Sequence, residues 1–415
     1  MTGITLTFSA RDMHFITKKQ DLKFNLIKIK SRKTKTMKVE QKKFTKSNSW
    51  ETLRNDNVYS ASCNLVLAFG STEILSDASF YETLRKSYPK ADILMNSTSG
   101  EIYDTQVNDD TVSLTAICFE KTKTKTATVQ INDVKNSYEA GRILASQLET
   151  AGLKNVLVIS DGQKVNGSDL VLGLQKFLPE GTIITGGLAG DGARFKTTLV
   201  GLNESPVEGR IAAIGFYGSN LSITYGSVGG WDSFGPERLI TKSKDNILYE
   251  LDGKPALDIY KMYLGDFAKE LPGSGLLFPL SIRTNGVNNS LVRTILSVSE
   301  EEKSLTFAGN MPEGAYARLM KANFDRLIEG ASNAAQNSVD KNANKPDLAI
   351  LISCVGRKLV LNQRIEEEVE VIRAIYGNDT AITGFYSYGE ISPSFNFMKC
   401  ELHNQTMTIT TFSEN

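Results

Sequence analysis

The sequence predicts an α/β protein of two domains, each mixing parallel and antiparallel strands with helices and built from repeated β-loop-α-β units. Three observations carry that expectation. An apolar strand, a loop, an amphipathic helix and a second apolar strand recur three times, from Leu65 to Glu101, from Val156 to Asp191 and from Leu348 to Glu390. Each copy closes on a glycine followed by a carboxylate: Gly100-Glu101, Gly190-Asp191 and Gly389-Glu390. The gaps between copies are unequal, which excludes a short-period solenoid and favours duplicated units inside larger domains.

The elements follow in order. Residues 1–45 read as a basic N-terminal extension and a candidate for disorder, residues 46–234 as one domain and residues 235–415 as the second. Asn64 to Phe69 is a buried strand, and Ser79 to Tyr88 is a helix with Phe80, Leu84 and Tyr88 on one face, stopped by Pro89. Alternation over Val112 to Phe119 and Thr126 to Ile131 predicts an antiparallel hairpin. Tyr138 to Ala151 is a helix capped by Gly152, Asn155 to Ser160 a strand, and Leu170 to Leu178 a helix ending at Pro179. A second hairpin is expected from Thr197–Gly201 and Arg210–Phe216, followed by a glycine-rich strand from Ile223 to Trp231. The domain boundary is placed near Phe234. Beyond it, Ile240 to Leu251 is a hairpin turning at Asp245-Asn246, Pro255 to Leu264 is a helix, and Glu313 to Ala335 is expected as the longest helix.

Composition narrows the class. Hydrophobic residues make up 40% and charged residues 23%, in the ordinary globular range. No run of about 18 apolar residues occurs, so no membrane span is expected. No secretion signal is visible, and four scattered cysteines suggest neither a zinc site nor a disulfide framework. A cytoplasmic location is the expectation. Residues 1–50 carry 13 Lys/Arg against 3 Asp/Glu, leaving 34 against 44 in the remainder. Such an arm would suit nucleic acid or an anionic membrane. Its aromatics, Phe8, Phe15, Phe24 and Phe44, are too widely spaced to stack on bases, and no nucleic acid partner is expected. Met37 reads as an alternative start, with residues 1–36 an upstream extension.

The Gly-acid tips are the candidate site. In an open α/β sheet, ligands settle beyond the carboxyl ends of the strands. Small residues there free backbone amides, and Glu101, Asp191 and Glu390 would be aimed from strand ends. Ser97, Thr98, Gly100, Gly187, Gly190, Tyr388 and Gly389 complete the candidate ligand-binding set. Arg357 offers a bidentate fork for a carboxylate, which with the acids would suit a zwitterion. The competing reading pairs Arg357 with Glu366 or Glu367. Gly186 to Gly192 lacks the Lys-Ser/Thr ending of a P-loop and alternates afterwards like a strand, which argues against a nucleotide.

Together with Tyr249-Glu-Leu-Asp-Gly-Lys-Pro-Ala-Leu257, Ser353-Cys-Val-Gly-Arg357 and His403-Asn-Gln-Thr406, the three tips resemble the FIST proteins, which pair a FIST N with a FIST C domain. On that resemblance residues 46–234 are FIST N-like and residues 235–415 FIST C-like. It implies a sensory module of signal transduction that binds a small ligand such as an amino acid or related metabolite. No kinase or cyclase segment is visible, so the signal would pass to a separate partner. Some members are haem-based nitric oxide sensors acting with a histidine kinase. For that alternative His403 would be the axial ligand, with Phe395, Phe397, Met398 and Met407 as walls.

Catalysis is not expected. The chain has two histidines, His14 and His403, which leaves no Ser-His-acid triad or histidine metal cluster. A carboxylate pair drawn from Glu101, Asp191 and Glu390 could still act as acid and base. Cys354, at a strand end, reads as a buried small residue.

Overall fold

The computed structural model describes residues 36–45, 47, 49–284, 290–339, 345–394 and 399–415. The expectations for residues 1–35, His14 among them, lie outside the described residues. Residues 37–415 form one compact unit. It contains three copies of one plan. The first runs β1 (Lys38–Phe44), β2 (Trp50–Asn55), β3 (Leu65–Gly70), α1 (Thr72–Leu75), α2 (Ala78–Ser87), β4 (Asp92–Ser97), β5 (Glu101–Tyr103), β6 (Gln106–Asn108) and β7 (Val112–Cys118). The second runs β8 (Lys123–Gln130), α3 (Ser137–Gln147), β9 (Leu153–Ser160), α4 (Gly167–Phe177), β10 (Ile183–Leu188), β11 (Val200–Leu202) and β12 (Arg210–Tyr217).

The third copy opens with β13 (Leu221–Val228) and is then interrupted. The insertion comprises β14 (Asp232–Lys244), β15 (Ile247–Leu251), β16 (Lys254–Pro255), α5 (Ala256–Leu264), β17 (Leu280–Arg283), β18 (Ser290–Arg293), β19 (Ile295–Ser299), β20 (Ser304–Phe307) and β21 (Tyr316–Lys321). These eight strands form their own sheet, with a core that includes Leu248, Leu257, Tyr260, Phe307 and Leu319. The copy resumes with α6 (Phe324–Asn337), β22 (Leu348–Cys354), α7 (Val355–Leu361), α8 (Glu367–Tyr376), β23 (Ala381–Ser387), β24 (Gly389–Pro393), β25 (Cys400–His403) and β26 (Met407–Glu414).

In each copy the first strand of the repeat, β3, β9 or β22, runs parallel to β4, β10 or β23 and antiparallel to the returning strand β7, β12 or β26. An outer strand, β1, β8 or β13, pairs antiparallel with the return. Between the second strand and the return, the chain leaves its own sheet. The β5–β6 hairpin joins β23 of the third copy, β11 joins β4 of the first, and β24–β25 joins β10 of the second. This cyclic exchange of edge strands locks the three sheets together, and each Gly-acid pair stands at an exit.

The period-two alternation of strands explains why the apolar runs are continuous. Leu65, Leu67 and Phe69 of β3, Leu157 and Ile159 of β9, and Ile350 and Ile352 of β22 enter one shared core. The intervening residues face the other way. Val66 and Ala68 join Phe80 and Leu84 of α2; Val156 and Val158 join α3 and α4; Ala349 and Leu351 join α6 and α8. Helix starts follow local caps: Asp77 accepts from the Ser79 amide at α2, and Asn166 from the Ser168 and Asp169 amides at α4.

Several expectations are corrected. The segment 38–44, assigned to the extension, is β1, paired between β7 and β2 and tied to β23 by Gln41 Nε2 donating to the Ile382 carbonyl at 2.8 Å. The two hairpins expected around residues 112–131 and 197–216 do not form, because β7 and β8, and likewise β11 and β12, belong to different sheets. Alternation identifies a half-buried strand but not its neighbour. Within the helix expected over 313–335, residues 316–321 are strand β21. The helix starts at Phe324, where the Asn323 side chain accepts from the Arg326 amide. The boundary expected near Phe234 falls inside β14, and two of the sheets draw strands from both halves of the chain.

Candidate functional site

The three Gly-acid tips do meet. The Gly190 amide donates to the Ser97 carbonyl (3.0 Å), Gly192 to Thr98 (3.1 Å), Ser99 to Tyr386 (2.8 Å), Tyr386 to Gly100 (2.8 Å) and Tyr388 to Leu188 (3.2 Å). Gly187 and Leu188 lie opposite Glu390 and Gly389 in the β10–β24 ladder. The approach at Gly190 is so close that a Cβ there would fall 2.3 Å from Ser99 Oγ, which requires glycine. The tips therefore consume one another's backbone groups.

Their carboxylates occupy three separate niches. Glu101 accepts from Thr98 Oγ1 (2.5 Å), the Thr111 amide (3.2 Å) and Thr111 Oγ1 (2.7 Å). Glu390 accepts from Ser387 Oγ (2.8 Å), the Thr406 amide (3.1 Å) and Thr406 Oγ1 (2.9 Å). Asp191 accepts from the amides of Phe195 (2.8 Å), Lys196 (2.9 Å) and Thr197 (2.9 Å) and from the Tyr388 hydroxyl. All three are buried. Burial pushes the Glu101 carboxyl up to about 7 and Glu390 up to about 8, against the lowering effect of their donors. Burial and the adjacent carboxylate also push the Tyr388 hydroxyl above its ordinary range. In this structure the acids face donors of their own chain. Glu101 and Glu390 tie each exit to the segment that leads into the returning strand.

Arg357 is closed in the same way. It is fully buried, with Nη2 donating to Glu368 Oε2 (2.7 Å) and the Leu327 carbonyl (2.8 Å), Nε to Glu368 Oε2 (3.1 Å) and Nη1 to the Gly229 carbonyl (2.6 Å). The ionic partner is Glu368, on the inner face of α8. Glu366 accepts from the Val107 amide, and Glu367 pairs with Arg364.

His403 is buried opposite Glu390, with Nε2 3.0 Å from the Ser392 carbonyl; desolvation holds its imidazole below the ordinary range. Met407 packs with Ala349 and Leu351 in a sheet core. Phe395, Phe397 and Met398 lie outside the described residues. Met407, expected as a haem wall, is thus committed to that core, and Nε2 of His403 is engaged with a carbonyl. Cys354 is buried, which pushes its thiol up.

Open space lies along the seam between the inserted sheet and the three-copy body. One cavity of about 460 Å³ is lined by Val165 and Tyr388 from the body and by Leu296 and Phe307 from the insertion. A second, of about 490 Å³, lies between Phe195 and Leu359 on one side and Leu276 and Ile295 on the other. The third, about 680 Å³, is lined by Leu172, Lys399 and Glu401 from the body and by Ile282, Leu291 and Arg293 from the insertion. All three fall in the range of about 300–1,000 Å³ typical of small-molecule sites. Sequence reasoning missed Arg293. The available signal was an arginine interrupting an otherwise apolar run, Leu291-Val-Arg-Thr-Ile295.

Arg293 ends β18 opposite Leu280 and is 5% exposed. Its Nε donates to the Asn310 carbonyl (3.2 Å), and its Nη1 to the carbonyls of Val292 (3.3 Å) and Leu402 (3.0 Å). Among the described residues, no carboxylate lies within ion-pair distance of it and Nη2 makes no hydrogen bond. Burial pushes the guanidinium down to about 10.

Among the described residues, no helix is long and apolar enough to cross a membrane. A family model of the FIST N domain matches residues 64–254, and one of the FIST C domain matches residues 256–393. A curated relative from Methanocaldococcus jannaschii, described as the uncharacterized protein MJ1623, is 25% identical over 237 residues, which cover 53% of this chain and 42% of that relative. The chain thus spans under half of that relative's length, and the relative's description names no ligand or partner. The two family matches cover most of the sequence in the expected order, and the chain belongs to the FIST family, whose domains are associated with sensory signal transduction.

Proposed function

We propose that this protein is a cytoplasmic signal-input module that binds a small organic ligand, an amino acid or related metabolite, and relays the bound state to a separate signalling protein. The observation that carries this reading is the row of three cavities on one seam, each lined by both the inserted sheet and the body. A ligand touching both sides favours one setting of the seam over another by its differential affinity, which is what a sensor requires. Binding without catalysis is supported by the acids themselves. Glu101, Asp191 and Glu390 sit in separate niches, each filled by donors of its own chain, and do not face a shared substrate. The test is a thermal-shift screen of the full chain against amino acids and their deaminated or decarboxylated relatives. The reading expects one chemical class to raise the melting temperature in a saturable way, with no turnover of the ligand. A flat response across the panel would contradict it.

A further inference from the structure

Burying an unpaired charge costs several kcal/mol, and proteins almost always supply a partner. No carboxylate lies within ion-pair distance of Arg293 among the described residues, and Glu401 acts on it only from beyond that distance. Its three hydrogen bonds go to neutral peptide carbonyls, which orient a guanidinium without neutralising it. The packing nevertheless makes room for it. A Cβ on Gly309 would come within 2.9 Å of Arg293 Nε, so the glycine lets the guanidinium lie flat against the backbone. Glu401 shares the cavity wall but is held elsewhere, by Ser394 Oγ at 2.8 Å and with Lys399 Nζ at 3.9 Å. The remaining wall is largely apolar, with Leu172, Ile282, Leu291, Pro312 and Leu402.

We propose that the cavity at Arg293 binds an organic carboxylate with an apolar body, the carboxylate on the guanidinium through Nη2 and the body against Leu172, Ile282 and Leu291. This rests on the sensor reading above and gives it a site and a ligand class. A single negative charge matches the one buried guanidinium, which Glu401 offsets only from beyond ion-pair distance. A phosphate dianion would bring two charges toward Glu401 where a carboxylate brings one. A small inorganic anion would leave most of the apolar wall unused. Glu401 also allows a ligand bearing an ammonium beside its carboxylate, so plain acids and amino acids share the recognition chemistry and the test separates them.

The experiment is isothermal titration of the full chain, in buffer free of organic acids, with 4-methylpentanoate, L-leucine, 4-methylpentanamide and acetate. One or both of the first two bind, and the neutral amide and the bodiless acetate bind at least tenfold more weakly. Preference for 4-methylpentanoate identifies a plain acid; preference for leucine places an ammonium at Glu401. Arg293→Met weakens the carboxylate at least tenfold. Leu172→Trp, at a half-exposed position on the cavity wall, does so with Arg293 intact and guards against a folding defect in the first variant. Equal affinity for acid and amide, wild-type affinity in both variants, or no binding of either acid would overturn the site. If neither acid binds while the thermal-shift screen finds a ligand that Arg293→Met still binds, the sensor reading stands and this site falls.

Discussion

Two arginines are deeply buried among the described residues, and their surroundings differ in kind. Arg357 sits where β22 passes into α7, and Glu368 together with two carbonyls satisfies it. Arg293 ends an inserted strand, bonds to three carbonyls and faces a cavity. The first is a closed structural joint within the three-copy body. The second leaves charge and hydrogen-bonding capacity unspent at the seam with the insertion. The same contrast separates the Gly-acid tips, whose carboxylates are saturated by their own chain, from the seam cavities. A chemically suggestive motif marks a ligand site only when its valences remain open.

The largest expected effect is at the closed joint. Arg357→Met strands Glu368 in the core and should cost about 3–5 kcal/mol of unfolding free energy, read from urea denaturation. Adding Glu368→Gln, which removes the stranded charge and keeps an acceptor for the Tyr386 and Ser353 hydroxyls, should restore part of that loss. A small cost for the single variant would mean that the joint is not closed as described. Arg293→Met, by contrast, forfeits hydrogen bonds worth about 1 kcal/mol each and removes a buried charge. Its unliganded stability should change by about 1 kcal/mol or less. A loss as large as that at Arg357 would reveal a protein counter-charge and erase the comparison.

The tips give a smaller, pH-dependent signal. Glu101 and Glu390 have folded values raised to about 7 and about 8, above the ordinary 4.5. The folded state therefore holds protons that the unfolded state releases. The stability these groups contribute is fully present below pH 4.5 and is lost as pH rises through 7 to 8. The melting temperature should fall between about pH 4.5 and pH 8 and level off above that, and Glu101→Gln and Glu390→Gln should each lessen that fall. A steeper fall in the amides would contradict the burial argument.

How much of this was legible follows from what each residue reports about itself. The apolar runs in β3, β9 and β22 reveal buried strands because both faces of each are covered. The edge exchange was hidden. β5, β6 and β11 have three residues each, too few to carry a period, and their partners lie far along the chain. The tips were found and rightly placed at strand ends, but the donors that fill them, such as Thr111 and Thr406, follow 10 and 16 residues after their acids in unremarkable sequence. Arg293 could not be distinguished from a surface arginine without knowing that β25 and α4 close over it.

The most direct test of the contrast is hydrogen–deuterium exchange of the full chain with and without saturating 4-methylpentanoate or L-leucine, whichever binds. Added protection should concentrate at residues 167–177, 290–293 and 399–403 around the Arg293 cavity. Protection confined to 97–101, 187–192 and 386–390 would return the ligand to the Gly-acid tips and contradict that contrast.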